Sequence, residues 1–342
     1  MRFFSALRCD AIAIALGFAM AGGVADANGQ VKEVTIAHQD MVIPFRVSQA
    51  AGAVEKATGY KINWKLFGGG GDVIKAMASG DIPIGEAGSS PTTAAAAQGL
   101  DIEIVWILDD INNAEQLVVT AKSGITDLAG LKGKKVATPL ASTSHYQLLF
   151  ALKQAGISAK DVQILNLRPP EIAAAWERGD IDAAFIWDPV LSKIKAGGGK
   201  VILSSADVAK QGAPTFDALI VSRSWANSNR DFVTALVRKL ARADAYYRAN
   251  RAAFTQDSDQ VKAIARIVGA APADVPAVLE SYGFPTAEQQ ASPVWLGGGK
   301  DSGAAKALSS TAVFLKQQGR ITEVPTDFSK FVDPSYAAAA AH

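Results

Sequence analysis

The sequence predicts an α/β protein of two lobes, each a mainly parallel sheet flanked by helices, with a ligand cleft between them. Short β-rich runs alternate with amphipathic helical runs, which is typical of βαβ units and parallel strands. The same alternation starts again near residue 116. The chain has 342 residues, 49% hydrophobic and 20% charged, so it is globular and long enough for two domains.

The N-terminus has the pattern of a cleaved signal peptide. Arg2 and Arg8 precede an apolar stretch over residues 11–25, which is short for a membrane-spanning helix. A small–any–small pattern ends at Ala27, and we place the cleavage there, which removes residues 1–27. The alternative is a buried N-terminal helix. Because the only cysteine, Cys9, lies inside the removed segment, the exported chain has none, which favours the bacterial periplasm.

The first α/β unit is predicted over residues 34–108. Apolar residues at helical spacing favour a helix that Gly59 closes, and Asp72 is placed to cap the next one. A Ser-Pro pair at residues 90–91 opens the third helix. The predicted strands cover residues 34–37, 62–67, 82–84 and 102–108, and the predicted helices cover residues 47–58, 73–78 and 90–97.

The second unit follows, and the chain then becomes almost wholly helical from Asn227 to about Gly319. The predicted strands cover residues 116–120, 135–139, 162–167, 181–187, 201–204 and 218–221, and the predicted helices cover residues 145–155, 169–178 and 191–195. We expect the alanine tail at residues 337–341 to be frayed. The predicted lobes are 28–114 with 221–342 for lobe 1, and 115–220 for lobe 2.

Ligands of open α/β sheets bind beyond the carboxyl ends of the strands, so the loops after the strands are the candidate site. Two of these loops place hydroxyl groups beside free N–H groups at a helix N-terminus, which is an anion-binding arrangement. The alternative for each is a simple helix cap. The candidates are Gly88, Ser89 and Ser90 in the first loop, and Ser142, Thr143, Ser144 and His145 in the second.

A third loop and two carboxylates complete the candidate site. Trp187 and Asp188 end an apolar strand, although Trp187 also suits a core and Asp188 also suits a helix cap. Glu115 begins the strand predicted to cross into the second lobe, and Asp217 begins the predicted return. Carboxylates at these crossings face the cleft, unless they are ordinary solvated side chains.

Composition and motifs exclude several other functions. Lys and Arg number 34 and Asp and Glu number 33, so the net charge of +1 argues against nucleic acid and anionic membranes as partners. Three scattered histidines and one cysteine make a metal site improbable. The glycine runs at residues 68–71 and 297–299 lack the Lys-Ser/Thr of a phosphate-binding loop. We therefore predict no cofactor and no enzymatic activity.

Five segments carry a family resemblance, at residues 84–91, 142–146, 173–182, 212–215 and 314–319. They are similar to the taurine-, sulfonate- and nitrate-binding family of periplasmic solute-binding proteins of bacterial ABC importers. The resemblance spans residues 34–336 and implies the type II periplasmic-binding-protein fold with two crossover strands. Asp188 and the segment at residues 38–41 depart from the pattern of the family.

The resemblance implies a small zwitterion, taurine (2-aminoethanesulfonate), as the ligand. Hydroxyl and helix N–H groups of the two serine-rich loops, with His145, would hold the sulfonate. Glu115 and Asp217 would hold the ammonium, while Trp187 stacks on the ligand and Gln39 closes the pocket. The implied partner is an ABC permease in the inner membrane, and the expected state is a monomer.

Three alternatives stay open at this stage. The chain could bind aliphatic sulfonates or another small oxyanion, in which case Glu115 and Asp217 would lack a partner in the ligand. It could be an enzyme on the same fold, although no nucleophile–base pair stands out in the sequence. It could also be a sensory domain of a larger receptor.

Overall fold

The structure, a computed structural model, describes residues 32–341. The predicted signal peptide, its cleavage site at Ala27 and the last residue, His342, lie outside these residues. Within them, no helix is both long enough and apolar enough to cross a membrane.

The first sheet is five-stranded, in the order β2-β1-β3-β10-β4. The strands β1, β2 and β3 are parallel, whereas β10 runs antiparallel to both β3 and β4. The strands are β1 (Glu33–His38), β2 (Lys61–Leu66), β3 (Ile84–Gly88), β4 (Ile102–Asp110) and β10 (Phe216–Ser222).

The second sheet repeats this plan in the order β7-β6-β8-β5-β9. Its antiparallel strand, β5, pairs with β8 and β9, while β6 is parallel to β7 and β8. The strands are β5 (Gln116–Val119), β6 (Lys135–Thr138), β7 (Gln163–Asn166), β8 (Ala183–Ile186) and β9 (Lys200–Ser204).

The predicted fold class is confirmed: two mixed sheets, each with four strands in one direction, are flanked by helices. The antiparallel strand of each sheet is the one that the chain enters directly after crossing from the other sheet, β5 after Glu115 and β10 after Thr215. Because β10 joins the first sheet from Phe216, the return begins slightly before residue 220; the lobe boundaries themselves stay a prediction.

The helices pack around the sheets, and the helical region after Asn227 is confirmed. They are α1 (Phe45–Ala50), α2 (Ala53–Thr58), α3 (Gly70–Ala78), α4 (Ser89–Ala97), α5 (Thr143–Gln154), α6 (Pro169–Arg178), α7 (Val190–Ala196), α8 (Ser205–Lys210), α9 (Arg223–Ser228), α10 (Arg230–Ala249), α11 (Asp259–Val268), α12 (Val275–Ser281), α13 (Ala287–Ala291), α14 (Gly303–Gln317) and α15 (Ser335–Ala340).

Three local predictions are wrong. The helix predicted over residues 47–58 is two helices, because Gly52 between them takes a left-handed φ of 59°. Helix α3 begins at Gly70 with Gly69 as its N-cap, so Asp72 lies in the first turn and does not cap the helix. The alanine tail is not frayed, since it forms α15 with Tyr336 and Ala337 fully buried.

The two lobes are also joined by helix packing. Although α5 follows β6 of the second sheet, its Tyr146 ring contacts Phe314 of α14 edge-on, with 5.3 Å between centroids. Phe150 packs on the same ring at 5.6 Å. This aromatic contact fixes the N-terminus of α5 close to the first sheet, where the cleft lies.

Candidate functional site

A narrow cleft lies where loops of the two sheets meet. The lining residues come from both lobes, and none of them is Lys or Arg. They are Gln39, Met41, Gly70, Gly88, Pro91, Asp217 and Tyr282 from the first lobe, and Glu115, Ser142, Thr143 and Trp187 from the crossing and the second lobe.

The N-termini of three helices converge on this cleft. Helix α3 begins after Gly69, α4 after Gly88 and α5 after Ser142, and residues of all three first turns line the cleft. The first N–H groups of a helix have no intrahelical acceptor, and each helix N-terminus carries about half a positive charge. These N-termini therefore contribute positive potential to the cleft without a cationic side chain.

At Gly88 the backbone of the first lobe approaches the second lobe closely. A Cβ atom at this position would stand 2.6 Å from Thr143 Cγ2 of the opposite lobe and 3.2 Å from Asp217 Oδ1. The backbone φ of −66° is ordinary, so the absence of a side chain, and not an unusual conformation, is what this position requires.

Glu115 also lines the cleft and is almost fully buried. Its Oε1 accepts a hydrogen bond of 2.5 Å from the Thr143 hydroxyl, while its Oε2 meets no donor among the described residues. Burial raises the pKa of Glu115 to about 7, and the hydrogen bond from Thr143 opposes that shift. A buried carboxylate with one free oxygen is costly unless a ligand supplies the partner.

Asp217 faces the same space from the start of β10, opposite Gly88 in the strand register. Burial raises the pKa of Asp217 well above its usual value, and the charges of Glu115 and Glu86 add to the rise. The two carboxylates predicted from their position at the crossings are thus brought together, and both lie in a negative environment.

Gln39 is held by an ion pair that the sequence reasoning missed. Its amide nitrogen donates to the carbonyl of Glu86, at 3.1 Å. The Glu86 carboxylate forms two hydrogen bonds with Arg46, at 2.8 and 2.6 Å, and both side chains are fully buried. Arg46 also donates to the carbonyls of Gln39 and Met41, so the pair fixes the loop after β1 against the cleft.

Trp187 reaches across the cleft to the loop after β1. Its indole Nε1 donates a hydrogen bond of 2.8 Å to Asp40 Oδ1. Burial raises the pKa of Asp40 to about 6, and the bond from Trp187 opposes that shift. The indole is therefore both a wall of the cleft and a direct bond between the lobes.

Two of the predicted hydroxyl groups form hydrogen bonds within the protein. The Ser142 hydroxyl accepts from the N–H of His145 and donates to the carbonyl of Pro139, at 3.1 and 2.7 Å, so it caps α5. Ser89 Oγ accepts from the N–H of Phe216 at 3.4 Å. Ser89 and Ser90 are buried, and their side chains are not among the lining groups.

Three further candidates do not line the cleft. The His145 ring accepts from the N–H of Ala141 through Nδ1, and burial followed by the charge of Arg320 lowers the pKa of His145 to about 4. The ring is therefore neutral at pH 7. Ser144 is fully buried. Asp188 Oδ1 accepts from the N–H of Ser192, in the first turn of α7, at 2.9 Å.

Sequence reasoning also missed Tyr282, Met41 and Gly70, which line the cleft. Tyr282 comes from the helical region after Asn227, which the strand-loop rule does not search. Among the described residues, no group of three or more His, Cys, Asp or Glu side chains is arranged to hold a metal ion.

Comparison with known proteins places this geometry in a family. The NMT1/THI5-like family model matches residues 56–253. The chain belongs to this family. The matched range includes β3, α4, α5 and β10, and most of the residues that line the cleft fall within it.

Relatives of this NMT1/THI5-like protein are binding proteins by name. The taurine-binding periplasmic protein of Escherichia coli K12 is 37% identical over 303 residues, which cover 89% of this chain and 92% of that protein. A putative aliphatic sulfonates-binding protein of Bacillus subtilis 168 is 32% identical, covering 68% of this chain and 71% of that one. The structure of the alkanesulfonate-binding protein SsuA from Xanthomonas axonopodis pv. citri, bound to MOPS, matches with a TM-score of 0.69 at 26% identity, covering 89% and 97% of the two chains.

Proposed function

We propose that this protein is the periplasmic solute-binding component of an ABC importer, and that it binds taurine in the cleft between the lobes. The observation that carries the proposal is that helix N-termini and two buried carboxylates line the same cleft. Residues of the first turns of α3, α4 and α5 line it together with Glu115 and Asp217. A short zwitterion, with an anion and a cation two carbons apart, matches both kinds of group at once.

The sulfonate is assigned to the helix N-termini of α3, α4 and α5. Free backbone N–H groups are neutral donors that bind an anion from several directions. Because none of the lining residues is Lys or Arg, the anion is held without an ion pair. The backbone takes over the role expected of two serine hydroxyls, since Ser142 donates to the carbonyl of Pro139 and Ser89 does not line the cleft.

The ammonium is assigned to Glu115 and Asp217. The free Oε2 of Glu115 and the buried Asp217 carboxylate offer acceptors for its three donors. A hydrogen bond to a charged group contributes about 1.5–3 kcal/mol. A few of them, less the cost of ordering the ligand and the lobes, give an expected Kd of about 1 μM or below.

The alternative ligand class is a sulfonate or another small oxyanion without an ammonium group. Such a ligand would satisfy the helix N-termini but would leave Glu115 and Asp217 buried without a cation. The high identity to a taurine-binding protein also favours taurine. The binding-protein names of the relatives support a binding role over an enzymatic one. An ABC permease as partner, a monomeric state and export to the periplasm remain part of the proposal.

Calorimetric titration of the ligand-stripped protein with taurine and with ethanesulfonate tests the assignment. Ethanesulfonate keeps the anion and the two carbons but lacks the ammonium. We expect tight taurine binding and binding of ethanesulfonate at least 100-fold weaker, since two charged hydrogen bonds are lost. Equal affinities would identify a general sulfonate binder, and no heat with either ligand would contradict the proposal.

A further inference from the structure

The glycine run at residues 68–71, which lacks the pattern of a phosphate-binding loop, lies against the second lobe. A Cβ atom at Gly68 would stand 3.3 Å from Cδ and 3.4 Å from Cγ of Arg168, which follows β7 of the second sheet. A Cβ atom at Gly71 would stand 3.1 Å from Cβ and 3.3 Å from the carbonyl oxygen of Ala141, which follows β6. The bare backbone of the run therefore receives two loops of the opposite lobe.

The two loops of the second lobe are fixed to each other and to their own elements. The backbone N–H of Leu140 donates to the side-chain oxygen of Asn166 at 3.0 Å. The N–H of Arg168 donates to Glu171 Oε2, in the first turn of α6, at 2.8 Å. Ala141 has a φ of 55°, a left-handed conformation that is uncommon for a residue other than glycine. The loops therefore meet the glycine run as one fixed surface.

An ion pair between the lobes lies beside this contact. Arg168 Nη2 stands 3.3 Å from Oδ2 of Asp72, in the first turn of α3. Asp72 Oδ1 is also 3.3 Å from Lys75 Nζ of its own helix. The Arg168 side chain is 66% exposed and that of Asp72 is 30% exposed. Because the pair is exposed, dissolved salt screens it.

This contact depends on closure of the lobes. The chain passes between the two sheets at residues 111–115 and 211–215, and neither crossing contains a residue of the contact. Gly70, inside the glycine run, lines the cleft, whereas the Asp72 and Arg168 side chains do not. The ion pair therefore borders the ligand without touching it, and opening of the lobes to release a ligand would separate its two partners.

We propose that Gly68, Gly71, Asp72 and Arg168 form a latch that slows release of the bound ligand, with Arg168 as its positioning residue. The proposal rests on the proposed function, since it needs a ligand that the closed lobes retain. The glycine run leaves room for the loops of the second lobe to approach, and the ion pair holds them there. Because the latch forms after the ligand has entered, it acts on the dissociation rate and leaves the association rate almost unchanged.

Stopped-flow tryptophan fluorescence on mixing with taurine gives both rates for the wild type, Arg168→Met, Asp72→Asn and the double variant. Methionine keeps an unbranched stem against Gly68 and removes the charge. Each single variant should release taurine about two- to fivefold faster, as expected for an exposed ion pair. The double variant should release it no faster than Asp72→Asn alone, since the second substitution removes a charge whose partner is already lost.

The dependence of the rate on salt separates the ion pair from a merely structural role. Between about 0.01 M and about 1 M salt, the Debye length falls from about 30 Å to about 3 Å. Wild-type dissociation should therefore accelerate towards the rate of Arg168→Met, whose own rate should hardly change. The matched control is Arg178→Met at the other end of α6, because Arg178 bonds Asp180 within its own lobe, at 2.7 Å. This control should keep the rates and the salt dependence of the wild type.

Gly71→Ala tests the close approach of the glycine run. Alanine favours a helix more than glycine does, so the melting temperature of the ligand-free protein should not fall. The new Cβ presses on Ala141 of the opposite lobe, so taurine should still dissociate several-fold faster. Ala141→Gly in addition removes the opposing methyl group and should recover part of the slow release.

Equal effects of Arg168→Met with and without Asp72→Asn would overturn the inference and leave the proposed function intact. A wild-type dissociation rate that does not respond to salt, or faster release by Arg178→Met to the same extent, would overturn it as well. If a variant at residue 72 or 168 does not fold, the salt dependence of the wild type and the effect of Gly71→Ala still decide. Absence of taurine binding by the wild type would contradict the proposed function itself, and the latch with it.

Discussion

Replacing Gly88 by alanine tests whether the two lobes close on the ligand at the distance seen here. The new Cβ would stand 2.6 Å from Thr143 Cγ2. Carbon atoms in ordinary contact are about 3.5–4.0 Å apart, so the lobes would have to stay about 1 Å further apart. Since φ of Gly88 is −66°, the substitution does not strain the backbone of the ligand-free protein.

An opening of about 1 Å lengthens a ligand hydrogen bond of about 2.9 Å to about 3.9 Å, which is beyond bonding distance. A ligand held by both lobes then loses its bonds to one of them. If two bonds to charged groups are lost at about 1.5–3 kcal/mol each, the Kd of taurine rises at least 100-fold. The melting temperature of the ligand-free protein should stay within about 2 °C of the wild type, because the clash arises only between the lobes.

The matched control is Gly197→Ala at the end of α7. Gly197 has φ of −77°, and the atoms nearest to the new Cβ would lie 3.5 Å away, so taurine affinity should not change. The double variant Gly88→Ala with Thr143→Ser removes the clashing methyl but keeps the hydroxyl that bonds Glu115, and it should recover most of the affinity. Calorimetry with taurine gives the Kd values. Wild-type affinity in Gly88→Ala alone would refute closure at this point.

Three further predictions concern the surroundings of the cleft. Trp187→Phe keeps an aromatic ring but removes the N–H that donates to Asp40. Stopped-flow measurements should show that taurine dissociates about tenfold faster, with little change in its association rate. An unchanged dissociation rate would contradict the bond between the lobes. His145→Ala should leave the Kd of taurine within about twofold, because the ring lies outside the cleft. Since the pKa of His145 is about 4 when folded and about 6.5 when unfolded, the unfolded chain binds more protons between these values. The wild type should therefore lose stability as the pH falls from 6.5 to 4, and urea unfolding at pH 7 and pH 4.5 should show a smaller loss for His145→Ala. Arg46→Ala leaves the Glu86 carboxylate buried without its cation. The free energy of unfolding in urea should therefore fall by about 3–5 kcal/mol. A fall of less than about 1 kcal/mol would contradict a structural role for the ion pair.

Helix boundaries were predicted best where proline or glycine restricts or frees the backbone directly. Helix α6 begins and ends where the sequence places it, because Pro169 and Pro170 favour a first turn and Gly179 takes the left-handed conformation that ends a helix. The break between α1 and α2 was missed, since the apolar spacing continues through Gly52 and does not reveal its positive φ.

The candidate site was predictable where the topology of the fold determines the position. Glu115 and Asp217 follow from the rule that crossings between lobes face the cleft, and both line it. Ser142 and Asp188 show the limit of that reasoning. A short polar side chain at the start of a helix bonds either a ligand or its own backbone, and the sequence is the same in both cases.

Contacts between distant segments were not predictable from one sequence. The ion pair of Asp72 and Arg168 depends on the approach of two lobes and of segments that are far apart in the chain. The bond between Trp187 and Asp40 and the pair of Arg46 and Glu86 depend equally on how loops of different strands meet. No local sequence pattern marks these residues, because the role of each one depends on a partner that is distant in the chain.

We propose above all that helix N-termini bind the sulfonate of taurine and that Glu115 and Asp217 bind its ammonium. A crystal structure of the protein with bound taurine is the most direct test. We expect the sulfonate oxygens to lie within hydrogen-bond distance of first-turn N–H groups of α3, α4 or α5, and the ammonium to lie within that distance of Glu115 and Asp217. Taurine bound in the opposite orientation, or outside the cleft, would contradict this assignment.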